Sequence, residues 1–183
     1  MGIILEKISS NEKFKEVLKI RKKVFIDEEN LFKEMVLDEE DKEAEHFLAY
    51  KNGKAVGTIS LSIGIPVEFK PKNLDYENQD YGHLRRLAVL PKERGKTIGL
   101  GLMVIAYEYA KKRGIKVVWI AILKEHLRNI NLYHQFGFKE IGDIEGNKIL
   151  ILDIFSDSVY EKARQQKRRK FINRMKKYWR LVL

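Results

Sequence analysis

Arg94-Gly95-Lys96-Thr97-Ile98-Gly99 gathers two cations, two glycines and a hydroxyl into six residues, a mixture suited to holding an oxyanion. The apolar residues Leu84, Leu87, Ala88, Val89 and Leu90 precede it and Pro91 stops them, which predicts a buried strand. After it, Ile98, Leu102, Ile105 and Tyr109 recur at helical spacing until Lys111, Lys112 and Arg113 load the last turn and Gly114 ends it. A strand, a basic turn and a helix in that order point the amides and the positive dipole end of a helix N-terminus at an anion, for which phosphate is the natural guest. The same pattern also fits an ordinary surface turn with solvated cations.

The elements that would position this turn can be read along the chain. Gly2 to Ile8 suits a first strand, and Ser9 or Ser10 caps a helix with Phe14, Val17, Leu18 and Arg21 on successive turns, running toward Val24 and Phe25. Acidic stretches follow at Asp27-Glu28-Glu29 and Asp38-Glu39-Glu40-Asp41. They suit either a lid over a cationic amine or simple solvated helix faces. His46 to Lys51 and Lys54 to Ile63 form a hairpin across Asn52-Gly53. From Gly64 to Gly82, with Pro66 and Pro71, the alternation breaks down, and a loop this long reads as a lid. Lys116 to Ile122 is a buried strand of the kind found in parallel pairs joined by a helix. A helix from His126 to Phe136, ended by Gly137-Phe138, and a hairpin of Lys139 to Ile144 with Lys148 to Phe155 complete the pattern.

Two of these segments resemble motifs of the GNAT superfamily of N-acyltransferases. Leu87-Ala88-Val89, Pro91 and Arg94 to Gly99 are similar to its acyl-CoA pyrophosphate motif, R/Q-x-x-G-x-G/A. Arg94 and Gly99 match, while Thr97 stands at the usual first glycine, with a hydroxyl that can donate to phosphate. Leu132-Tyr133-His134-Gln135-Phe136-Gly137-Phe138 resembles the end of a second motif, N-x-x-A-x-x-L-Y-x-x-x-G-F, with His126 and Asn129 in place of the usual Asn and Ala. The resemblance spans about residues 2 to 155. It implies an α/β GNAT fold, a mixed central sheet with splayed central strands flanked by helices. It also implies acetyl-CoA as co-substrate and no metal.

Residue roles follow from that resemblance. Leu87, Ala88 and Val89 would hold the pantetheine arm and the thioester oxygen, and Arg94, Gly95, Lys96, Thr97, Ile98 and Gly99 the pyrophosphate. Tyr133 stands where the family places the acid that protonates the departing thiolate; packing beside Phe136 is the other reading. His83, three residues before Arg86, stands where the family often has a general-base glutamate. Histidine, with an ordinary pKa of ~6.5, can accept that proton, or His83 serves only as a hydrogen-bond partner.

Composition narrows the rest. The 183 residues suit one domain with an appendage, and the lack of cysteine excludes disulfides, thiolate metal sites and a cysteine nucleophile. No apolar stretch or leader pattern stands out, so a cytoplasmic protein is expected. The net charge is +10, yet from Ser156 onward ten Lys and Arg face two acids, so the tail holds eight of those charges. Domains are expected at 1–155, an acyltransferase core, and 156–183, a basic amphipathic helix with Phe171, Met175, Tyr178 and Val182 on one face.

That helix suits an anionic membrane surface, an acyl carrier protein, nucleic acid phosphates, or packing on its own domain or in a homodimer. Three functions remain open. One is an N-acetyltransferase acting on a small or peptidyl amine. Another is an N-acyl amino acid or acyl-homoserine lactone type synthase using acyl carrier protein, which Arg21-x-x-Val24-Phe25 and Gly101-Leu102-Met103 resemble. The third is a non-catalytic module that binds membrane or nucleic acid through its tail.

Overall fold

The computed structural model describes residues 2–66, 69, 70, 77–95, 97–154, 159–175 and 178–183, without the side chains of 128 and 159–164. In chain order the strands are β1 (Ile3–Lys7), β2 (Glu45–Lys51), β3 (Lys54–Ile63), β4 (Tyr81–Val89), β5 (Val117–Leu123), β6 (Lys139–Ile144), β7 (Asn147–Asp153) and β8 (Trp179–Val182). The helices are α1 (Asn11–Arg21), α2 (Ile98–Lys112), α3 (Leu127–Phe136) and α4 (Val159–Met175). These residues form two compact units. Unit 1 is Met1–Ser62, Leu84–Tyr109 and Met175–Leu183; unit 2 is Ile63–His83 and Ala110–Arg174.

Unit 1 is a mixed sheet in the order β4-β3-β2-β1-β8. Asn52 and Gly53, at φ 52° and 74°, make the expected two-residue turn between antiparallel β2 and β3. Ser10 caps α1 by accepting from the Lys13 amide, and the helix buries Val17 and Ile20 with Ile8, Val24, Phe25, Leu48 and Ala88. Each of these side chains except Ala88 contributes on the order of 1.5–3 kcal/mol by leaving water. Neighbouring strand residues point to opposite faces. Phe47, next to Leu48, therefore meets the edge of Tyr109 on α2 at 5.5 Å. At Gly101 of α2 an added Cβ would stand 2.9 Å from Leu5 Cδ1 and 3.0 Å from Trp179 Cε2, so only glycine admits this approach.

The tail differs from the expected single amphipathic helix. α4 stops at Met175, and Trp179–Val182 is instead the strand β8, parallel to β1 in the register Ile3↔Trp179 to Glu6↔Val182. The expected helical face of Phe171, Met175, Tyr178 and Val182 therefore does not continue past Met175 as helix. Over four residues a period of 3.6 cannot be told from one of 2. Pairing wins because the outer edge of β1 presents backbone donors and acceptors that a further strand satisfies.

Unit 2 is a smaller mixed sheet in the order β6-β7-β5-β4. The parallel β4–β5 ladder runs from Tyr81↔Val117 to His83↔Trp119, after which β4 continues into unit 1. Tyr81 thus belongs to the strand and shortens the expected 64–82 loop. Asn78–Asp80 is a 3₁₀ turn, while 67, 68 and 71–76 of the expected lid lie outside the described residues. The core gathers Ile65, Tyr81, Val117, Trp119 and Ile151 with Phe69. The β6–β7 turn is two residues, Glu145 and Gly146 at φ 48° and 79°, so β7 begins one residue earlier than expected. Gly137, at φ 109°, ends α3 by donating to the Tyr133 and His134 carbonyls. Arg168 of α4, itself buried, donates from Nε to the Phe136 carbonyl at 3.0 Å, placing a cation at the negative end of α3.

Candidate active site

In unit 1 the end of β4 and the start of α2 bring most of the expected cofactor residues together. Val89 Cγ2 and Leu87 Cδ2 lie 3.7 and 4.0 Å from the Cβ position of Gly99, and Ala88 and Ile98 are both buried against Gly57. Between them Pro91–Glu93 is a 3₁₀ turn, and Gly95 and Thr97 take left-handed conformations at φ 77° and 63°. Lys96 lies outside the described residues. Thr97 therefore adopts the backbone that a glycine takes without cost, at the position where the resemblance expects one, and a non-glycine there costs roughly 1–2 kcal/mol. Its carbonyl accepts the Gly101 amide at 2.9 Å, opening α2. The first amides of that helix, from Ile98 on, have no intrahelical acceptor. Arg94 donates from Nε to the Val89 carbonyl at 3.0 Å and from both terminal nitrogens to Glu28, at 2.6 and 2.8 Å. Glu28 was not among the expected site residues; only its place in an acidic run marks it.

The second acidic run, 38–41, is neutralised within unit 1. Asp38 pairs with Arg85 and Arg86, Glu40 with Arg85, Asp41 with Arg21 and Arg86, and Glu39 with Lys42. Successive strand residues ordinarily face opposite ways, but Arg86 has φ 55°, and this left-handed residue turns both arginines onto Asp38. No sequence signal marks that bend. Three arginines and Lys42 thus offset the four carboxylates, which weakens the case for this run as an electrostatic attractor of a cationic amine.

Arg21 is fully buried. It donates to Asp41 and to the Val36 carbonyl, each at 2.9 Å, and to Ser60 Oγ at 2.6 Å. The Ser60 hydroxyl in turn lies 2.7 Å from His46 Nδ1, and His46 Nε2 lies 3.0 Å from the Asp41 carbonyl. These partners assign the neutral tautomer with its proton on Nε2. Burial pulls the Arg21 pKa down to about 10 despite Asp41. Burial is the largest single influence on Asp41 and opposes its ionisation, but the Arg21 charge and hydrogen bond, the Asp38 amide and the Arg86 charge together outweigh it and keep that carboxyl below its ordinary range. Burial also lowers the pKa of His46.

In unit 2, His83 stacks on Trp119 with ring centroids 3.9 Å apart and planes 7° from parallel. Trp119 is itself fixed by donating from Nε1 to the Gly64 carbonyl at 2.8 Å and by the edge of Phe69 at 5.3 Å. Tyr133 lies on α3, 7% exposed, with its ring edge-on to Phe138 at 5.4 Å. Burial pushes its phenol pKa up. A phenol so placed holds its proton at neutral pH, and the same burial makes it a weaker acid than a phenol in water.

These observations describe an α/β protein with a basic strand-to-helix turn, and comparison with known proteins supplies its class. The chain belongs to the acetyltransferase (GNAT) family, whose sequence model matches residues 12–138. It is 30% identical over 100 residues to an uncharacterized N-acetyltransferase of Methanocaldococcus jannaschii, covering 55% of this chain and 41% of that protein. It is 26% identical over 136 residues to one from Bacillus subtilis, covering 74% and 85%. The first match thus spans less than half of that relative. Among solved structures, a GNAT-family acetyltransferase from Staphylococcus aureus superposes with a TM-score of 0.65 at 16% identity, covering 84% of this chain and all of that one. The PaiA N-acetyltransferase of Thermoplasma acidophilum in complex with coenzyme A gives 0.61 at 18%, covering 84% and 99%. The fold is the GNAT fold, as the two motifs imply.

Proposed function

We propose that this protein moves the acetyl group of acetyl-CoA to a primary amine by direct attack in a ternary complex. The observation that carries the reading is Thr97 in the left-handed backbone at φ 63°, directly before the N-terminus of α2 and beside Arg94. Backbone strain held beside a helix N-terminus supports reading this turn as a phosphate cradle. Arg94, Gly95, Lys96, Thr97, Ile98 and Gly99 would hold the pyrophosphate, and the backbone of Leu87, Ala88 and Val89 the pantetheine arm. When bound, the thioester supplies an activated acyl carbon.

The protein's own part is to deliver a neutral amine and manage two protons. His83, held by Trp119, accepts the proton that the amine must lose, directly or through water. The amine nitrogen bonds to the acyl carbon as the carbon–sulfur bond breaks, and Tyr133 protonates the departing sulfur. The ionised form of Tyr133 then recovers a proton from solvent. The neutralised 38–41 run gives no reason to favour a polycationic acceptor over other amines. Attachment to vesicles or nucleic acid draws on the tail's charge alone, and long acyl chains on acyl carrier protein on that charge and on the short resemblances at Arg21 to Phe25 and Gly101 to Met103.

Calorimetric titration with acetyl-CoA, free CoA, longer acyl-CoA and acyl carrier protein, followed by thiol release with an amine panel, tests the proposal. Binding of CoA and acetyl-CoA with amine-dependent thiol release is expected. Failure to bind CoA overturns it.

A further inference from the structure

The fork of Arg94 is already engaged by a carboxylate. Glu28 accepts from both terminal nitrogens, at 2.6 and 2.8 Å, while Nε is held by the Val89 carbonyl. This planar, two-point contact is the one by which a guanidinium also takes up a phosphate. Glu28 is delivered to it by an unusual piece of backbone. Beyond α1 the helix widens into a π turn, Lys22–Ile26, anchored by buried Val24 and Phe25. The Glu29 amide then bonds the Val24 carbonyl at 3.0 Å, Leu31 bonds Phe25 at 2.7 Å, and Asn30 at φ 52° reverses the chain. The Arg94 and Glu28 side chains are 37% and 35% exposed, so a dissolved anion can reach the pair.

We infer that Glu28 is a built-in competitor for the donor's phosphate: its carboxylate and a phosphate oxygen are alternative occupants of the Arg94 fork. The inference rests on the reading of Arg94–Gly99 as the pyrophosphate site. A pyrophosphate carries more charge than one carboxylate and also meets the α2 N-terminus, so it displaces Glu28. Glu28 occupies the Arg94 fork until then, weakens donor affinity, and speeds product release by reclaiming the fork. Its departure also unties the 27–31 segment from Arg94, so donor binding loosens the stretch of chain that leads toward β2.

The test is calorimetric titration of CoA into the wild-type protein, Glu28→Gln, Arg94→Gln and the double variant. Glu28→Gln removes the competing charge and keeps the side chain's shape. It is expected to bind CoA about two- to fivefold tighter, the range in which exposed ion pairs fall. Arg94→Gln is expected to bind more weakly, and Glu28→Gln to add nothing in that background. Unchanged or weaker binding by Glu28→Gln, with Arg94→Gln impaired, overturns the competition and leaves the donor site standing. Unchanged binding by Arg94→Gln overturns the donor-site reading itself, and the inference with it. Hydrogen exchange gives a second readout: CoA should speed exchange at 27–31 in the wild type, and unaltered or slower exchange there also overturns displacement.

Discussion

The candidate residues of the two units are held by different physics. In unit 1 the residues are held by charge: Arg94 by Glu28, Arg85 and Arg86 by three acids, Arg21 by a buried carboxylate. In unit 2 they are held by ring packing: His83 on Trp119, Tyr133 against Phe138. A charge-built site is tuned by salt, pH and competing ions. A packing-built one fixes geometry, and at Tyr133 burial also raises the phenol's hold on its proton, leaving little for solvent to adjust. Donor binding in unit 1 should therefore respond to single charges, and proton transfer in unit 2 to single atoms.

The largest expected effect is on stability in unit 1. Asp41→Asn strands Arg21 as a buried cation and should cost about 3–5 kcal/mol, read as a lower denaturation midpoint. A loss below 1 kcal/mol would show that the charge network does not hold this unit. Next comes Tyr133→Phe, which keeps the packing and removes the acid. Turnover should fall about 100-fold with CoA affinity retained, and near-normal turnover would reduce Tyr133 to a core residue.

Arg94→Glu should weaken CoA binding by roughly 1–3 kcal/mol, more in low salt than high. A loss that salt leaves unaltered would break the charge-built description. Thr97→Gly relieves the left-handed threonine, a change expected to stabilise by about 0.5–1 kcal/mol in thermal melts; destabilisation would mean that the hydroxyl matters more than the backbone.

The smallest effect is a slope in stability against pH. Burial lowers the folded pKa of His46, so below ~6.5 the unfolded chain takes up a proton that the folded one refuses. Stability should be full above that pH and decline as pH falls through it, with Asp41 adding a loss only at still lower pH, as it falls through the depressed folded value. Denaturation at pH 7.5, 6.5 and 5.5 measures the slope, and an equal slope in His46→Gln would assign it elsewhere.

Much of this could be read directly from the chain. Asn52-Gly53, Ser10, Gly137 and the Ile98–Tyr109 spacing each specify backbone geometry through their own chemistry, and the structure carries out all four. The strand before the Arg94–Gly99 turn and the helix after it were legible for the same reason, but the left-handed Thr97 between them was not, since a β-branched residue disfavours that backbone. What else stayed hidden depends on partners remote in sequence. Trp179–Val182 reads as helix until the open edge of β1 claims it. The acids at 38–41 read as a solvated or attracting surface until Arg21, Arg85 and Arg86 neutralise them, and Glu28 reads as one of three like charges until it meets Arg94. Local sequence determines what a segment can form on its own, because dihedral and capping preferences act over a few residues. Which charge meets which, and which strand edge is covered, is decided only when folding joins residues 45 or 66 positions apart, since neither a salt bridge nor a strand pair exists in one segment alone.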